Sequence, residues 1–326
     1  MKLFRLLLTF FHFGILVLLL GTILNAYVPP KVFPWLNMLS LLFPVLMIFN
    51  VVFCFFWIIL WKKRAIFFLG FSLFLIIPTS RWINYREEKS IKPNLKMITF
   101  NIKGGRIAGT EKVFNYLENS GADVILLQEY GSQYQVSGYD YGVGNYEIVA
   151  LNSKTKILEQ GKIATIGNGN SFYADIEING KRIRFINLYL SPFSFEKQKV
   201  KPSEDLEQNE NKLRYVLGKL VPTFKNHQPE VQELQNAVSA SPYPVILAGD
   251  FNAVPNSYEY YHLLKNLKDA FVEVGRGSAT SFHDYKFPIR IDHVFCSESI
   301  QPVAYRVDRS AKLSDHFPVI AEFYID

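Results

Sequence analysis

Two long apolar stretches near the N-terminus constrain the fold of this chain more than any other feature. Residues 6–28 and 36–61 contain no Asp, Glu, Lys or Arg, and each exceeds the about 20 residues that a helix needs to cross a hydrocarbon core. The first stretch lacks a small-residue cleavage site, which favours an uncleaved helix over a signal peptide. A third stretch, residues 65–78, is shorter and fits a short span or a re-entrant segment. We predict a membrane domain over residues 1–81 with two to three transmembrane helices.

Basic residues around these stretches predict how the chain is oriented. Lys2 and Arg5 precede the first stretch, Lys31 alone follows it, and residues 62–64 after the second are all basic. By the positive-inside rule, the N-terminus and residues 62–64 are cytoplasmic. A third span then places the rest of the chain outside the cytoplasm, whereas two spans leave it inside. We expect the first arrangement, a multi-pass protein of the inner membrane.

The charge balance differs between the two parts of the chain. Residues 1–90 hold nine Lys/Arg and two Asp/Glu, a net charge of +7, and residues 91–326 hold 26 and 27, a net charge of −1. The second part therefore lacks the positive charge that supplies most non-specific affinity for nucleic acid. The two cysteines, Cys54 and Cys296, form no disulfide framework, and no histidine or cysteine spacing is typical of a zinc site.

Residues 94–326 read as an α+β domain after a linker over residues 82–93. Alternating or wholly apolar runs predict strands at 95–101, 123–127, 245–248, 291–296 and 317–324, and an Asn-Gly pair at 179–180 joins two more in a hairpin. Helices are expected at 111–119, 205–220, 229–240 and about 257–266. Hairpins mixed with βα units exclude a purely parallel sheet. We predict a four-layer α/β sandwich, with two packed mixed sheets flanked by helices.

Polar side chains stand where several of these strands end. They are Asn101, Glu129, Tyr189, Asp250, Asn252, Asp292, Asp315 and His316. If the strand over 245–248 stays extended past Gly249, Asp250 and Asn252 point to the same side, because side chains alternate. Carboxylates and amides with a histidine form a hard-oxygen environment that suits Mg²⁺ or Mn²⁺. Such a site fits phosphoryl chemistry, in which a metal polarises the phosphate and a carboxylate activates water.

Five short motifs make the second part similar to a known superfamily. They are "TFNIKGG", "DVILLQE", "GDFN", "RIDHVF" and "SDHFPV", and their order and spacing resemble those of the endonuclease/exonuclease/phosphatase superfamily. The resemblance covers about residues 94–326. That superfamily includes deoxyribonucleases, abasic-site endonucleases, inositol-polyphosphate phosphatases and bacterial sphingomyelinases. The resemblance implies a metal-dependent phosphoesterase of the membrane-anchored bacterial type.

The resemblance also implies a role for each polar residue. Asn101, Glu129 and Asp315 match metal-site positions, and Asp250 and Asn252 match the pair beside the scissile phosphate, where the aspartate orients or deprotonates water. His316 matches the histidine that contacts the phosphate, and Asp292 matches the carboxylate that orients it. Tyr189 stands where many members have a catalytic histidine ("NLYL" in place of "NTHL"), which leaves the general acid open.

Other polar residues carry weaker expectations. His293 is interpreted as a packing residue, while Lys103, Arg106 and Arg290 are equally compatible with phosphate contacts and with surface positions. His227, His262 and His283 are interpreted as structural.

Three functions remain open from the sequence. The first is a membrane-anchored, Mg²⁺-dependent phosphoesterase that acts on a lipid headgroup, a phosphorylated metabolite or a nucleic acid. The second is a membrane-tethered nuclease with the same chemistry, and the third is a catalytically silent binding module. The expected partners are the lipid bilayer and a phosphate ester, and we expect a monomer. Substrate choice is expected to lie in the loops near 131–146, 191–204 and 274–288.

Overall fold

The computed structural model describes residues 2–60, 62–131, 135–165, 167–200, 203, 205–284 and 288–326. Trp61, the last residue of the predicted second span, and parts of the three predicted substrate loops lie outside these residues. The α-helices are, in chain order, α1 (Lys2–Gly21), α2 (Trp35–Ile59), α3 (Arg64–Ser72), α4 (Ile76–Ser80), α5 (Thr110–Glu118), α6 (Lys197–Val200), α7 (Leu206–Ser239), α8 (Tyr258–Leu263) and α9 (Ala270–Val274). Short 3₁₀ turns occupy Thr22–Ala26, Leu73–Leu75 and Lys103–Gly105.

Most of the strands form two six-stranded mixed sheets. The strands are β1 (Ile83–Tyr85), β2 (Leu95–Asn101), β3 (Val124–Gln128), β4 (Tyr141–Tyr146), β5 (Val149–Ser153), β6 (Ile157–Ile163), β7 (Asn170–Ile178), β8 (Lys181–Tyr189), β9 (Val245–Asp250), β10 (Leu267–Asp269), β11 (Arg276–Ser278), β12 (Asp292–Ser297), β13 (Gln301–Val307) and β14 (Val319–Tyr324). One sheet has the order β10-β12-β9-β8-β7-β6, and the other has the order β13-β14-β2-β3-β5-β4. Strands β2 and β3 are parallel, as are β8 and β9, and the other described pairs within these sheets are antiparallel.

The main core lies between the two sheets, where apolar side chains from both inner faces meet. Met97, Leu126, Phe172, Phe185 and Val294 belong to this cluster. The outer face of one sheet packs against α7 and α8, and the outer face of the other packs against α5. The predicted four-layer α/β sandwich is therefore confirmed.

Helix α7 differs from the two separate helices that were predicted at 205–220 and 229–240. It runs without interruption from Leu206 to Ser239, although it contains Pro222 and Pro229. Each proline removes one backbone donor, which is why the sequence predicts a break. The helix continues because its apolar face, including Val231 and Leu234, is buried on the sheet, and such packing overrides propensity.

The segment predicted as a linker also holds regular structure. Strand β1 pairs antiparallel with β11, so Ile83 lies opposite Ser278. The buried Asn84 side chain donates hydrogen bonds to the carbonyl oxygens of Phe271 and Val272, at 2.9 and 2.8 Å. The connection between the N-terminal helices and the sandwich is thereby tied to the sandwich itself.

Two N-terminal helical segments are long and apolar enough to cross a membrane. They cover Lys2–Ala26 and Trp35–Ile59, with mean hydropathies of 2.4 and 2.6 over their most apolar parts, and only 28% and 22% of those parts are buried. A shorter apolar helical segment, Arg64–Ser80, follows them. Large apolar side chains such as Phe10, Phe49 and Phe55 are exposed on these helices, as expected for surfaces that face lipid.

Polar residues within the apolar segments attach them to the sandwich. The buried Asn37 side chain of α2 donates to both carboxylate oxygens of Glu259, at 3.0 and 2.9 Å, and its oxygen accepts from the Tyr258 backbone N–H at 2.8 Å. His227 of α7 also contacts Glu259, with 2.8 Å between Nδ1 and Oε1. Helix α2 therefore meets the sandwich through buried, hydrogen-bonded groups.

Asn256 makes a second attachment, in the loop after β9. Its carbonyl oxygen accepts from Asn25 Nδ2 at 3.0 Å and from Ser40 Oγ at 2.7 Å. Its side-chain oxygen accepts from Arg81 at 2.9 Å, and its side-chain nitrogen donates to the Pro78 carbonyl at 3.2 Å. One buried asparagine thus holds three parts of the N-terminal segment.

Candidate active site

The alternation of side chains along the strands brings the predicted polar residues together. On β9, Ile246 and Ala248 pack between the two sheets, so Asp250 at the strand end follows them to the same side. The same parity holds on three other strands and brings their terminal residues to the inter-sheet face: Asn101, Tyr189 and Asp292. Pairing aligns these ends, with Asp250 opposite Tyr189 on one side and Asp292 on the other.

The end of β9 is a tight turn. A Cβ at Gly249 would lie 2.0 Å from the Leu188 carbonyl oxygen, so the close approach of β8 requires glycine. The extended conformation does not persist past Asp250: Asn252 has a φ of +45°, and its backbone N–H donates to Asp250 Oδ1 at 2.9 Å. The condition under which the sequence places Asp250 and Asn252 on one side, an extended strand, therefore holds only as far as Asp250, because this side-chain bond to the backbone stabilises a turn. Both side chains nevertheless line one cavity.

Asn101 joins two carboxylates beneath that cavity. Its side-chain nitrogen donates to Glu129 Oε1 at 3.1 Å and to Asp250 Oδ2 at 2.9 Å. Glu129 follows the end of β3 with a φ of +48°, which turns its side chain toward the cavity. The Tyr189 hydroxyl donates to Glu129 Oε1 at 3.2 Å. Burial, with the charges of Glu129 and Asp250, raises the pKa of Tyr189 well above its usual range, so it stays a donor.

His316 lies between two carboxylates. Its Nδ1 is 2.8 Å from Asp292 Oδ2, and its Nε2 is 3.7 Å from Asp250 Oδ2. Burial alone would lower the pKa of His316, but Asp292 and Asp250 outweigh it and raise the pKa to about 10. The Phe282 ring packs edge-on against the imidazole, with centroids 5.0 Å apart. At neutral pH the His316 side chain is therefore a protonated imidazolium, and Asp292 and Phe282 fix its orientation.

The Asp250 carboxyl is almost fully buried, and its burial is the main reason why its pKa is raised. His316 opposes the shift and Asp292 adds to it, with the result that the pKa of Asp250 is about 7. A carboxylate with a pKa near the working pH is suited to accept a proton from water.

Asp315 and Lys103 complete the cavity wall. The Lys103 ammonium forms an ion pair with Asp315 and lies 3.9 Å from Asp284. Burial would raise the pKa of Asp315, but His316 and Lys103 hold it below its usual range. The site analysis from sequence left Lys103 undecided between a phosphate contact and the surface, and the structure places it at the cavity.

The chemistry of the donor groups fits a divalent metal ion. Oxygen atoms of Glu129, Asp250, Asn252 and Asp315 line the same cavity, and hard oxygen donors are the ligands that Mg²⁺ and Mn²⁺ prefer. Among the described residues, Asp250, Asp292 and His316 form a further cluster whose potential ligand atoms lie within 4.8 Å of one another. In that cluster the His316 imidazolium lies beside both carboxylates. Glu129 and Asp315 are outside the cluster and could also hold a metal ion.

The structure also places the residues that were given other interpretations. Arg290 is neither at the surface nor in the cavity: it is fully buried and forms an ion pair with Asp269 at 2.7 Å. His293 is buried on β12, on the face that points away from the space between the sheets, and its Nε2 lies 2.9 Å from the Ala253 carbonyl oxygen. Burial and the nearby Arg290 lower the pKa of His293 to about 3, so it is a neutral supporting group.

Solved structures share this fold at low sequence identity. The human Nocturnin catalytic domain with bound sulfate is 16% identical, covers 74% of this chain and 97% of its own, and has a TM-score of 0.52. An endonuclease/exonuclease/phosphatase from Beutenbergia cavernae is 15% identical, covers 72% of both chains and has a TM-score of 0.52. A mannosyl-6-phosphatase of Bacteroides thetaiotaomicron is 18% identical, covers 71% of this chain and 100% of its own, and has a TM-score of 0.50. These similarities establish the fold.

Family models match both parts of the chain. Residues 4–82 match a domain of unknown function, DUF8431. No curated protein matches the chain. Residues 98–316 match the model described as the endonuclease/exonuclease/phosphatase family, which confirms the resemblance carried by the five motifs. Since this match covers more than half of the sequence, the chain belongs to the endonuclease/exonuclease/phosphatase family.

Proposed function

We propose that this protein is a membrane-anchored, divalent-metal-dependent phosphoesterase that hydrolyses a phosphate mono- or diester by attack of water. The observation that carries the proposal is that Asp250 and His316 line one cavity together with Glu129 and Asp315, while Asp292 contacts His316 from behind. Members of this family are hydrolases of phosphoester bonds, and the site has the groups that such chemistry needs.

Each residue of the site has a distinct task in this proposal. Asp250 orients the attacking water and accepts its proton, since its pKa lies near neutrality. His316 holds a proton at Nε2, where it stabilises the negative charge on the phosphate, and Asp292 fixes the imidazole through Nδ1. Asn252 lies beside Asp250 in the same turn and faces the phosphate.

The metal site is assigned to Glu129 and Asp315, and Asn101 supports the Glu129 carboxylate. A bound Mg²⁺ or Mn²⁺ would polarise the phosphate and offset its charge. Asn101 and Tyr189 both bond Glu129 Oε1, so they fix the direction of that carboxylate. Tyr189 does not line the cavity that the described residues form, which supports a positioning task in place of the acid or phosphate-binding task of the usual histidine.

The membrane arrangement is part of the same proposal. The turn between α1 and α2 contacts the sandwich, because the Lys31 backbone N–H donates to the Gln228 side chain at 3.1 Å. Arg81, at the end of the third apolar segment, also contacts the sandwich through its hydrogen bond to Asn256. Residues 62–64 lie at the opposite ends of α2 and α3. The 17 residues of Arg64–Ser80 extend about 25 Å at helical rise, which supports a third, short crossing. With basic residues 62–64 inside, the catalytic domain is outside the cytoplasm.

The test is metal-dependent hydrolysis by the detergent-solubilised full chain. The substrates are bis(4-nitrophenyl) phosphate, 4-nitrophenyl phosphate and plasmid DNA, each with Mg²⁺, with Mn²⁺ or with EDTA. Asp250→Ala should lose turnover, whereas Glu177→Ala, which changes an exposed glutamate on β7, should retain it. Folded protein that binds metal but hydrolyses none of these esters would favour the silent binding module.

A further inference from the structure

The catalytic groups occupy only one end of their cavity. The cavity has a volume of about 360 Å³, and most of its other lining residues are apolar, although Asn37, Ser194 and Ser257 also line it. A continuous part of the apolar lining comes from α2, the loop after β8 and α7. Their side chains are Leu41, Phe193, Phe195, Val216, Leu220 and Phe224. We call this part of the cavity the apolar cleft.

The aromatic wall of the apolar cleft is formed by side chains that pack on each other. Phe193 stacks on Phe195 with ring centroids 5.6 Å apart, and it meets the edge of Phe224 at 5.4 Å. The cleft is thus preformed and presents hydrocarbon beside the reacting phosphate. A preformed apolar pocket with a few polar groups at one end orients a ligand that has one charged end.

The charges of the cavity disfavour a polyanion. Among the described residues that line it, Lys103 is the sole lysine or arginine, and it is already paired with Asp315. Nucleic acids are held by basic grooves that follow several phosphates. This cavity offers positive charge at one phosphate position and hydrocarbon beyond it.

One side of the apolar cleft belongs to a helix that is long and apolar enough to cross a membrane. Leu41 lies on α2, and the next residue in sequence, Leu42, is 49% exposed. On α7, Leu213 is 57% exposed, one helical turn before Val216. A helix that would lie in the membrane thus lines the cleft, and exposed apolar side chains are near it in sequence on both α2 and α7.

We propose that the substrate is a phosphate ester of a membrane lipid, whose phosphate lies between Asp250 and His316 and whose hydrocarbon chain occupies the apolar cleft. This inference rests on the proposed phosphoesterase function and specifies its substrate class. It assigns to α2 a direct part in substrate binding, through Leu41, in addition to anchoring.

The experiment measures chain-length dependence with the full chain in detergent micelles. Methyl and octyl phosphate are compared as monoesters, and methyl and octyl 4-nitrophenyl phosphate as diesters, with loss of each ester followed by mass spectrometry. Each buried methylene raises the affinity for the ester by up to about fourfold. Detergent micelles also bind the octyl chain, which reduces this gain. We expect kcat/KM for the octyl ester to exceed that for the methyl ester by at least about 30-fold.

Variants of the cleft show where the chain is bound. Leu220→Trp should lower the octyl-to-methyl ratio by at least about tenfold, because the indole fills the cleft. Leu41→Trp, at a partly buried position of α2 on another wall of the cleft, is a second and independent test. The control is Leu158→Trp, at a 41% exposed position on β6, which should leave the ratio unchanged.

The possible results separate this inference from the function on which it rests. Equal kcat/KM for methyl and octyl esters would overturn the lipid inference and leave the phosphoesterase in place. Faster cleavage of a single-stranded oligonucleotide than of either octyl ester would also overturn it, in favour of a nuclease. No hydrolysis of any ester by folded protein would overturn both proposals.

Discussion

Asn256 offers the sharpest test of whether the N-terminal helices are part of the folded catalytic unit. Its side chain bonds Arg81 and Pro78 at 2.9 and 3.2 Å, it is fully buried, and its φ is +67°. Replacement by glycine removes the two side-chain hydrogen bonds but tolerates the left-handed backbone. Replacement by alanine removes the same bonds and adds strain.

The magnitudes follow from these contacts. Two buried hydrogen bonds, one from a charged donor, contribute about 2–3 kcal/mol to the free energy of unfolding. Asn256→Gly should therefore lower the melting temperature of the full chain by about 4–12 °C, at about 2–4 °C per kcal/mol for a domain of this size. Asn256→Ala should lower the free energy of unfolding by about 1 kcal/mol more, because a Cβ is disfavoured at positive φ.

Asn266 provides the matched control. It also has a positive φ, of +64°, but its side chain is exposed. Asn266→Gly should change stability little, and Asn266→Ala should lower it by about 1 kcal/mol. The assay is thermal unfolding in one detergent, followed by intrinsic fluorescence. If Asn256→Gly melts within about 2 °C of Asn266→Gly, the attachment of the helices to the β9 loop contributes no stability and this reasoning fails.

Three further perturbations test the site and the core. His316→Gln removes the imidazolium and should lower kcat at least about 100-fold. It should also lower the melting temperature, because the buried Asp250 and Asp292 carboxylates lose their cationic partner. A smaller effect on the kcat of folded protein in a steady-state assay would contradict its phosphate contact. Tyr189→Phe removes one hydrogen bond to Glu129 and should raise the Mg²⁺ concentration for half-maximal activity severalfold; an unchanged metal titration would show that Glu129 needs no such support. Asp269→Asn leaves the Arg290 charge buried and should lower the free energy of unfolding by about 3–5 kcal/mol at neutral pH. Burial would raise the pKa of Asp269, but the Arg290 charge outweighs it and holds this pKa below its usual value of 3.8. The stability that the ion pair contributes is therefore present above pH 3.8 and is lost as the pH falls through the folded-state pKa of Asp269. Melting temperatures of the variant and the wild type should therefore converge in acid, and a constant gap would refute the ion-pair explanation.

The positions of the polar residues at the strand ends were predictable from local patterns, since Asp250 ends one apolar run and Asp292 precedes another. Which face of β9 and β12 lies between the sheets was not, because both faces of these strands are buried and alternation does not distinguish them. The conformation of the turn after Asp250 was not predictable. The left-handed backbone of Asn252 depends on the bond from its N–H to the Asp250 side chain and on the bond from its side chain to the Leu190 carbonyl oxygen.

Contacts between distant segments explain what the sequence could not predict. Asn37 lies in a stretch that reads as a lipid-facing helix, and its partner Glu259 is 222 residues away. Likewise, Arg290 resembles a surface or phosphate-binding arginine until Asp269 is brought beside it by the sheet. The role of a polar residue within an apolar stretch, or of a basic residue near a motif, depends on its partner in the folded structure. The periodicity of the local sequence does not identify that partner.

The paired strand β1 limits how freely the catalytic domain can move relative to the N-terminal helices. A flexible tether of about 12 residues would let a domain wander over roughly 20 Å. Here the chain after α4 is bonded to the sandwich within a few residues, through Arg81, Asn84 and the pairing of β1 with β11. With the helices in a membrane, the cavity keeps one height and one tilt relative to the surface. For the lipid substrate proposed above, encounter would then be a search by lateral diffusion in two dimensions, and its rate would depend on the mole fraction of substrate in the membrane rather than on its bulk concentration.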